Sequence, residues 1–258
     1  MKISFLQLNM NGDTFWDSVI PFLSFHDFDV IHLQEVTGKD TKVGIVDTTR
    51  DVFSGLTDVL QDRYKGELAI TDYFTSSKEA YMGSATFYKK SFSLIQKEIV
   101  WLRKNKEPFS SDAKTFEEVG RALFHLTLSL AGKEVSFLNL HGAWAKTAQE
   151  HEHQTQQGEI VINYLKKISS PFILSGDFNL NPQQPTINKI GELARNLTSE
   201  HQITNTLNPR KHYAKQLFPP GVAVDYIFVS KDITVKSFRV LDNEDISDHL
   251  GLVAEFEI

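Results

Sequence analysis

Cysteine is missing from all 258 residues. That excludes disulfides and thiol chemistry, and a chain this long can bury a core without covalent staples. The absence fits a reducing compartment, and we expect a cytoplasmic protein. Long apolar runs are missing too: none approaches the roughly 20 residues of a membrane-spanning helix. The first residues, Met1 to Asn9, turn polar too soon for a secretory signal. There is no glycine-rich phosphate loop, no serine elbow, no internal repeat and no low-complexity linker. Excess positive charge is also lacking, since 27 basic against 33 acidic residues leave a net charge of −6. Strong non-specific binding of nucleic acid is therefore not expected, although a bound divalent cation could supply local positive charge for a phosphate.

What is present is an ordinary globular composition, 41% hydrophobic and 23% charged. Apolar runs predict strands over 3–8, 29–34, 68–74, 84–88, 92–102, 120–130, 134–140, 170–175, 223–229, 234–241 and 250–258. Helical spacing appears at Trp16, Val19, Ile20 and Leu23, behind Asp13 or Thr14 as a cap, and again over 50–62. A longer helix is expected from about Thr147 to Lys167, with Ile160, Val161, Tyr164, Leu165 and Ile168 on one face, and another near 185–195. Ala131-Gly132-Lys133 reads as a hairpin turn. Arg103–Glu118 and Asn205–Gly221 read as long polar loops. One continuous α/β domain over residues 1–258 is the simplest organisation.

Polar residues recur where these strands end. Asn9, Glu35, His141, Asp177 with Asn179, and Asp248 with His249 each follow an apolar run, and Asp225 lies within one. Each has an ordinary explanation. Asn9 and Asp177 can make turns, Glu35 can cap or pair, His141 can be a satisfied core histidine, and Asp225 can neutralise Arg121 or a lysine. One site at a shared sheet edge accounts for all of them together. Their carboxylate and amide oxygens are hard ligands suited to Mg²⁺ or Mn²⁺. Zinc would call for clustered His or Cys. The nearest approach, His151-Glu152-His153, reads as a solvated helix face because residues two apart do not share one.

Asn9, Gln34-Glu35, Asn139-Leu140-His141, Gly176-Asp177-Phe178-Asn179, Asp225-Tyr226-Ile227 and Ser247-Asp248-His249 occur in an order and spacing that resemble the endonuclease/exonuclease/phosphatase, or DNase I-like, superfamily. The resemblance runs from residue 9 to residue 249. It implies a four-layer α/β/β/α sandwich of two packed mixed β-sheets flanked by helices, and hydrolysis of phosphate esters with a divalent cation, usually Mg²⁺. It makes Glu35 the principal metal carboxylate, with Asn9 close by and Asp248 an outer carboxylate or the ligand of a second metal. Asp177 would orient or deprotonate the attacking water, and Asn179 would hold a phosphoryl oxygen. His249 would contact the phosphate or act as acid or base, with Asp225 fixing its tautomer, and His141 would contact a non-bridging oxygen. Arg121 is a candidate phosphate contact, Trp144 a candidate stacking residue, Glu79 a candidate partner of His141, and Arg210-Lys211-His212 a candidate guide for an anionic substrate.

His141-Gly142 stands where the AP-endonuclease branch generally has tyrosine, which argues against that branch. The expected activity is a metal-dependent phosphodiesterase acting on DNA or RNA. The alternatives are a phosphomonoesterase of a small phosphorylated metabolite or lipid headgroup, and a non-catalytic binding module on the same fold.

Overall fold

The computed structural model describes residues 1–43, 46–74, 79–104, 119–145, 149–213 and 221–258. Most of the expected 103–118 loop, the expected helix start at Thr147, and the 214–220 part of the second long loop lie outside the described residues. In chain order the elements are β1 (Lys2–Asn9), α1 (Trp16–Phe25), β2 (Val30–Thr37), β3 (Lys42–Val43), β4 (Val46–Asp47), α2 (Val52–Leu60), β5 (Tyr64–Tyr73), β6 (Tyr81–Lys89), β7 (Ser93–Arg103), β8 (Arg121–Leu130), β9 (Lys133–His141), α3 (Glu152–Leu165), β10 (Phe172–Asp177), α4 (Pro185–Leu193), β11 (Arg195–Asn196), α5 (Leu197–Glu200), β12 (Asp225–Val229), β13 (Thr234–Val240) and β14 (Leu252–Glu257).

Two six-stranded mixed sheets carry the fold, ordered β13-β14-β1-β2-β6-β5 and β11-β12-β10-β9-β8-β7. The pairs β1–β2 and β9–β10 are parallel, and the other pairs in these two sheets are antiparallel. The outer face of the first sheet, with Leu6, Leu8, Ile31 and Leu33, packs on Val19, Phe22 and Leu23 of α1 and Val52, Leu56 and Leu60 of α2. The outer face of the second, with Leu138, Leu140, Leu174 and Phe228, packs on Val161, Ile162 and Leu165 of α3 and Ile187 and Ile190 of α4. The inner faces meet through Phe5, Val30, Phe124, Phe137, Ile173 and Ile227. This is the four-layer sandwich expected from the sequence.

The inner faces change character along the strands. On β1, Ile3 and Phe5 give way to Gln7 and Asn9; on β9, Val135 and Phe137 give way to Asn139 and His141; on β10, Ile173 gives way to Ser175 and Asp177. Alternation keeps these residues on one side, so the interior is apolar at one end and polar at the other. Within it, His32 is fully buried, packs edge-on against Phe5, and has Nδ1 at 2.8 Å from Ser175 Oγ.

Several local expectations need correction. Asp13 and Thr14 do not cap α1; the Asp13 carboxylate instead accepts from the backbone and hydroxyl of Thr49. α2 starts after Arg50 because the Asp51 side chain accepts from Ser54 N and caps it. On α3 the buried stripe runs through Gln154, Gln157, Gly158, Val161, Ile162 and Leu165, and Ile160 faces outward. The hairpin turn is Ala131-Gly132, both with positive φ (51° and 86°), the geometry that matches the twist of paired strands. β3, β4, β11 and α5 were not expected from the sequence, because elements of two to four residues carry no periodicity.

Burial pushes the His32 imidazole down to about 3. The unfolded chain binds this proton near 6.5 and the folded chain does not until about 3, so stability falls as pH drops through that window. Urea melts between pH 6 and 4 are expected to show the His32→Leu variant losing less stability than the wild type, by up to about 1.4 kcal/mol per pH unit; parallel slopes would refute this. A second expectation concerns Gly176, whose φ is 150° and whose added Cβ would lie 1.8 Å from Leu140 O on β9. Gly176→Ala should cost about 3 kcal/mol or more, read as a fall in Tm.

Candidate active site

Register places the polar strand ends side by side. In the second sheet His141, Asp177 and Asp225 are direct neighbours across β9, β10 and β12. In the first, Asn9 lies beside Gln34. The parallel strands β1, β2, β9 and β10 run toward this edge, while β12 and β14 begin at it, so Asp225 and the turn carrying Asp248 and His249 meet there too.

Two backbone irregularities aim side chains into the edge. Alternation alone would send Gln34 and Glu35 to opposite faces. β2 instead shifts register between Leu33 and Val36, with Glu35 at φ 53°, and this bulge turns both side chains inward. Gln34 then donates to Asn139 Oδ1 and Glu35 Oε1 accepts from Asn9. After β10 the chain is not extended: Asn179 has φ 53° and its N–H donates to Asp177 Oδ1, an Asx turn. The turn and the site role thus coexist at Gly176–Asn179. Left-handed non-glycine residues cost about 1–3 kcal/mol each and persist where surrounding structure holds them. At Gly142 a Cβ would come within 2.5 Å of Phe178 O, so the two loops after β9 and β10 can touch only without a side chain there.

The carboxylates are linked across the two sheets. Asn9 Nδ2 donates both to Glu35 Oε1 (3.2 Å) and to Asp177 Oδ2 (3.0 Å). His249 Nδ1 is 2.9 Å from Asp225 Oδ2, and its Nε2 is 3.9 Å from Asp177 Oδ2. His141 Nε2 lies 4.0 Å from the same Asp177 oxygen and 3.8 Å from Glu35 Oε1. Two imidazoles therefore face the same oxygen of Asp177, and one of them also faces Glu35.

Charge and burial set the protonation states. Burial raises the Glu35 carboxyl, and the Asp248 charge adds to it. Burial pushes Asp177 up to about 7, with His249 pulling it down and Asp225 pushing it up. For His249, burial works against the charged ring but is outweighed by Asp225, Asp177 and Asp248, so it sits well above its usual value. His141 is driven well below, by burial and then by the positive charges of Arg121 and His249. His212 falls to about 4, by burial and then His249.

A family model described as the endonuclease/exonuclease/phosphatase family matches residues 6–249. The chain belongs to that family. The members of the endonuclease/exonuclease/phosphatase family are hydrolases of phosphoester bonds. A search of curated proteins finds no match. Solved structures share the fold. The endonuclease/exonuclease/phosphatase from Bacteroides vulgatus is 19% identical with a TM-score of 0.74, and 100% of this chain and 99% of that one are covered. A mannosyl-6-phosphatase from Bacteroides thetaiotaomicron is 18% identical with a TM-score of 0.70, covering 99% and 100%. The human Nocturnin catalytic domain, solved with bound sulfate, is 18% identical with a TM-score of 0.71, covering 99% and 93%.

Asn9, Glu35, His141, Asp177, Asn179, Asp225, Asp248 and His249 all come together at this edge. Asp225 does not neutralise Arg121; its partners are His249 and Gln7. Arg121 is buried beneath the site, donating from Nε to Gly142 O (2.8 Å) and from Nη1 to Gly120 O (3.1 Å), within electrostatic reach of Asp72, Glu35 and Asp177. Trp144 is half-buried on the loop after β9. Glu79 lies on an exposed position, and the carboxylates beside His141 are Glu35 and Asp177. Arg210-Lys211-His212 does not act as one cluster. Arg210 turns away to Asp245, whereas His212 is buried with Nε2 at 4.0 Å from Asp248 Oδ2 and its ring edge-on to His249.

Sequence reasoning missed Gln7, which reaches Asp225, and Gln154 and Gln157, which hold the carbonyl and N–H of Ala143 beside Trp144. Nothing in their spacing marks them.

The donor set fits a hard divalent cation. The Asp248 charge acts on Glu35, and the raised carboxyls of Glu35 and Asp177 call for a counter-charge. His212, Asp248 and His249, and Asp177, Asp225 and His249, also form compact donor groups. Mg²⁺ or Mn²⁺ is expected to raise Tm in a concentration-dependent way, by the equivalent of about 2.7 kcal/mol at a hundredfold excess over Kd. Glu35→Ala should abolish most of that shift; an undiminished shift in the variant would place the ion elsewhere.

Proposed function

We propose that residues 1–258 act as one divalent-metal-dependent phosphoesterase domain that hydrolyses phosphodiester bonds, with DNA or RNA as the substrate class. The observation carrying this reading is the disposition of Asp177 Oδ2 between two imidazoles, His249 Nε2 at 3.9 Å, whose other nitrogen meets Asp225, and His141 Nε2 at 4.0 Å, the first driven well above its usual value and the second well below.

Mg²⁺, or Mn²⁺ in its place, would be held by Glu35 with Asp248, while Asn9, whose amide N–H rather than its oxygen faces the carboxylates, steadies Glu35 instead of ligating; when bound the ion supplies positive charge for the phosphoryl oxygens. Asp177, lifted toward neutrality, orients the attacking water and takes its proton. His249 donates from Nε2 to the phosphoryl group while Asp225 holds Nδ1. His141 donates to a non-bridging oxygen. Asn179, whose Nδ2 already donates to Gly142 O, has a second amide hydrogen for a phosphoryl oxygen. Arg121 adds fixed positive charge from beneath.

Among the described residues, the carboxyl groups of Glu35, Asp177, Asp225 and Asp248 face the positive charges of Arg121 and His249. The second reading is a phosphomonoesterase of a small phosphorylated metabolite or lipid headgroup, favoured by the likeness to the mannosyl-6-phosphatase. A non-catalytic module ranks last, because every polar strand end is in place.

With Mg²⁺ present, Asp177→Asn, Glu35→Ala and His249→Ala are each expected to lower kcat by about 100-fold or more. Near-wild-type turnover in all three would sink the reading. Initial rates on single- and double-stranded oligonucleotides, bis(p-nitrophenyl) phosphate and a panel of sugar phosphates would decide between the two substrate classes.

A further inference from the structure

Asp225 is fully buried, and its two carboxylate oxygens have different partners. Oδ2 meets His249 Nδ1, while Oδ1 accepts from Gln7 Nε2 at 3.1 Å. Gln7, itself fully buried on β1, donates from the same nitrogen to Gln34 Oε1 at 2.9 Å. Gln34 Nε2 donates to Asn139 Oδ1 at 2.7 Å. Asn139 Nδ2 donates to the main-chain oxygens of Leu33 (3.2 Å) and Ala85 (2.9 Å). The chain of bonds crosses between the sheets three times, from β2 and β6 to β9, back to β2 and β1, and over to β12.

Its direction is forced at every link. Backbone carbonyls only accept, so the Asn139 amide must present nitrogen to them and oxygen to Gln34. Gln34 must then present nitrogen to Asn139 and oxygen to Gln7. Gln7 is left facing two acceptors, and only its nitrogen satisfies both. Reversing any amide would set oxygen against oxygen between fully buried side chains.

We propose that Gln7 is a positioning residue for the Asp225–His249 pair, fixing the plane of the Asp225 carboxylate and through it the orientation of the His249 ring. A carboxylate held by one oxygen alone can turn about its Cβ–Cγ bond and carry the imidazole with it. A neutral donor suits the place, because it steadies Oδ1 without competing for the charge that His249 needs. The inference rests on the catalytic reading above.

Gln7→Met keeps side-chain length and removes the donor. Its kcat on bis(p-nitrophenyl) phosphate with Mg²⁺ is expected to fall about 10- to 100-fold with KM changed far less. In an Asp225→Asn background, where that carboxylate is gone, the same substitution should cost almost nothing more. In the cation-free protein, the proton NMR signal of His249 Nδ1–H should broaden or move upfield in Gln7→Met. Gln34→Met, one bond further away, should show the same changes to a smaller degree, and it decides the matter if Gln7→Met fails to fold. Wild-type kcat, an equal loss in both backgrounds, or an unchanged Nδ1–H signal would overturn the proposal. The NMR measurement needs no turnover, so it still judges Gln7 if the protein proves inactive on phosphoesters.

Discussion

Like charge crowded out of water is the constraint on which this molecule is organised. Glu35, Asp177, Asp225 and Asp248 converge on one sheet edge, and burial or mutual repulsion pushes Glu35 and Asp177 toward the protonated form. Such a group is costly unless each charge is divided or countered. Asn9 shares one amide between Glu35 and Asp177, and His249 lies between Asp225 and Asp177. What these contacts leave uncompensated is what a divalent cation would neutralise. Neither sheet could make this arrangement alone, since Asn9 and Glu35 come from the first and Asp177 and Asp225 from the second.

The graded interior follows from that requirement. Facing β-sheets normally meet through apolar side chains, and here they do so at the end marked by Phe5, Phe137 and Ile227. Carrying the apolar contact to the other end would leave the carboxylates without hydrogen-bond partners. The strands instead place amides and hydroxyls beneath them: Gln7, Gln34, Asn139 and Ser175. The left-handed residues Glu35 and Asn179 lie at the same end, where the bulge and the Asx turn re-aim side chains that regular strands would misdirect.

Much of this was legible in the sequence, and the boundary of legibility is physical. Strand after strand ended in a polar residue suited to a hard cation, and the ordered motifs sufficed for the sandwich and for bringing Asn9, Glu35, His141, Asp177, Asn179, Asp225, Asp248 and His249 together. The β2 bulge was not legible, because a one-residue register shift leaves no mark on composition; the strand read as ending at Gln34. Asp177 could be read as a turn residue or as a site residue, and the chain makes it both, since the Asx turn carries the carboxylate. Gln7 carried no signal within its apolar run, since its meaning lies in a partner more than 200 residues away. His212 was grouped with Arg210 and Lys211 by adjacency, but only the fold separates a buried imidazole from its exposed neighbours.

The histidines show how far one residue type can be divided by its surroundings. His249 faces Asp225 with one nitrogen and Asp177 with the other, and the two negative charges hold it protonated despite its burial. His141 approaches Glu35 and Asp177 at nearly the same distances, yet burial, and then the positive charges of Arg121 and His249, drive it well below its usual value. Paired titratable groups driven in opposite directions are how acid and base roles become separated in a confined site. On the proposed reading, the two imidazoles form such a pair, His249 raised and His141 lowered, facing the same Asp177 oxygen at 3.9 and 4.0 Å. Asp225 holds His249 by Nδ1 while Nε2 faces Asp177, so a residue that steadies Asp225 steadies the imidazole at that oxygen.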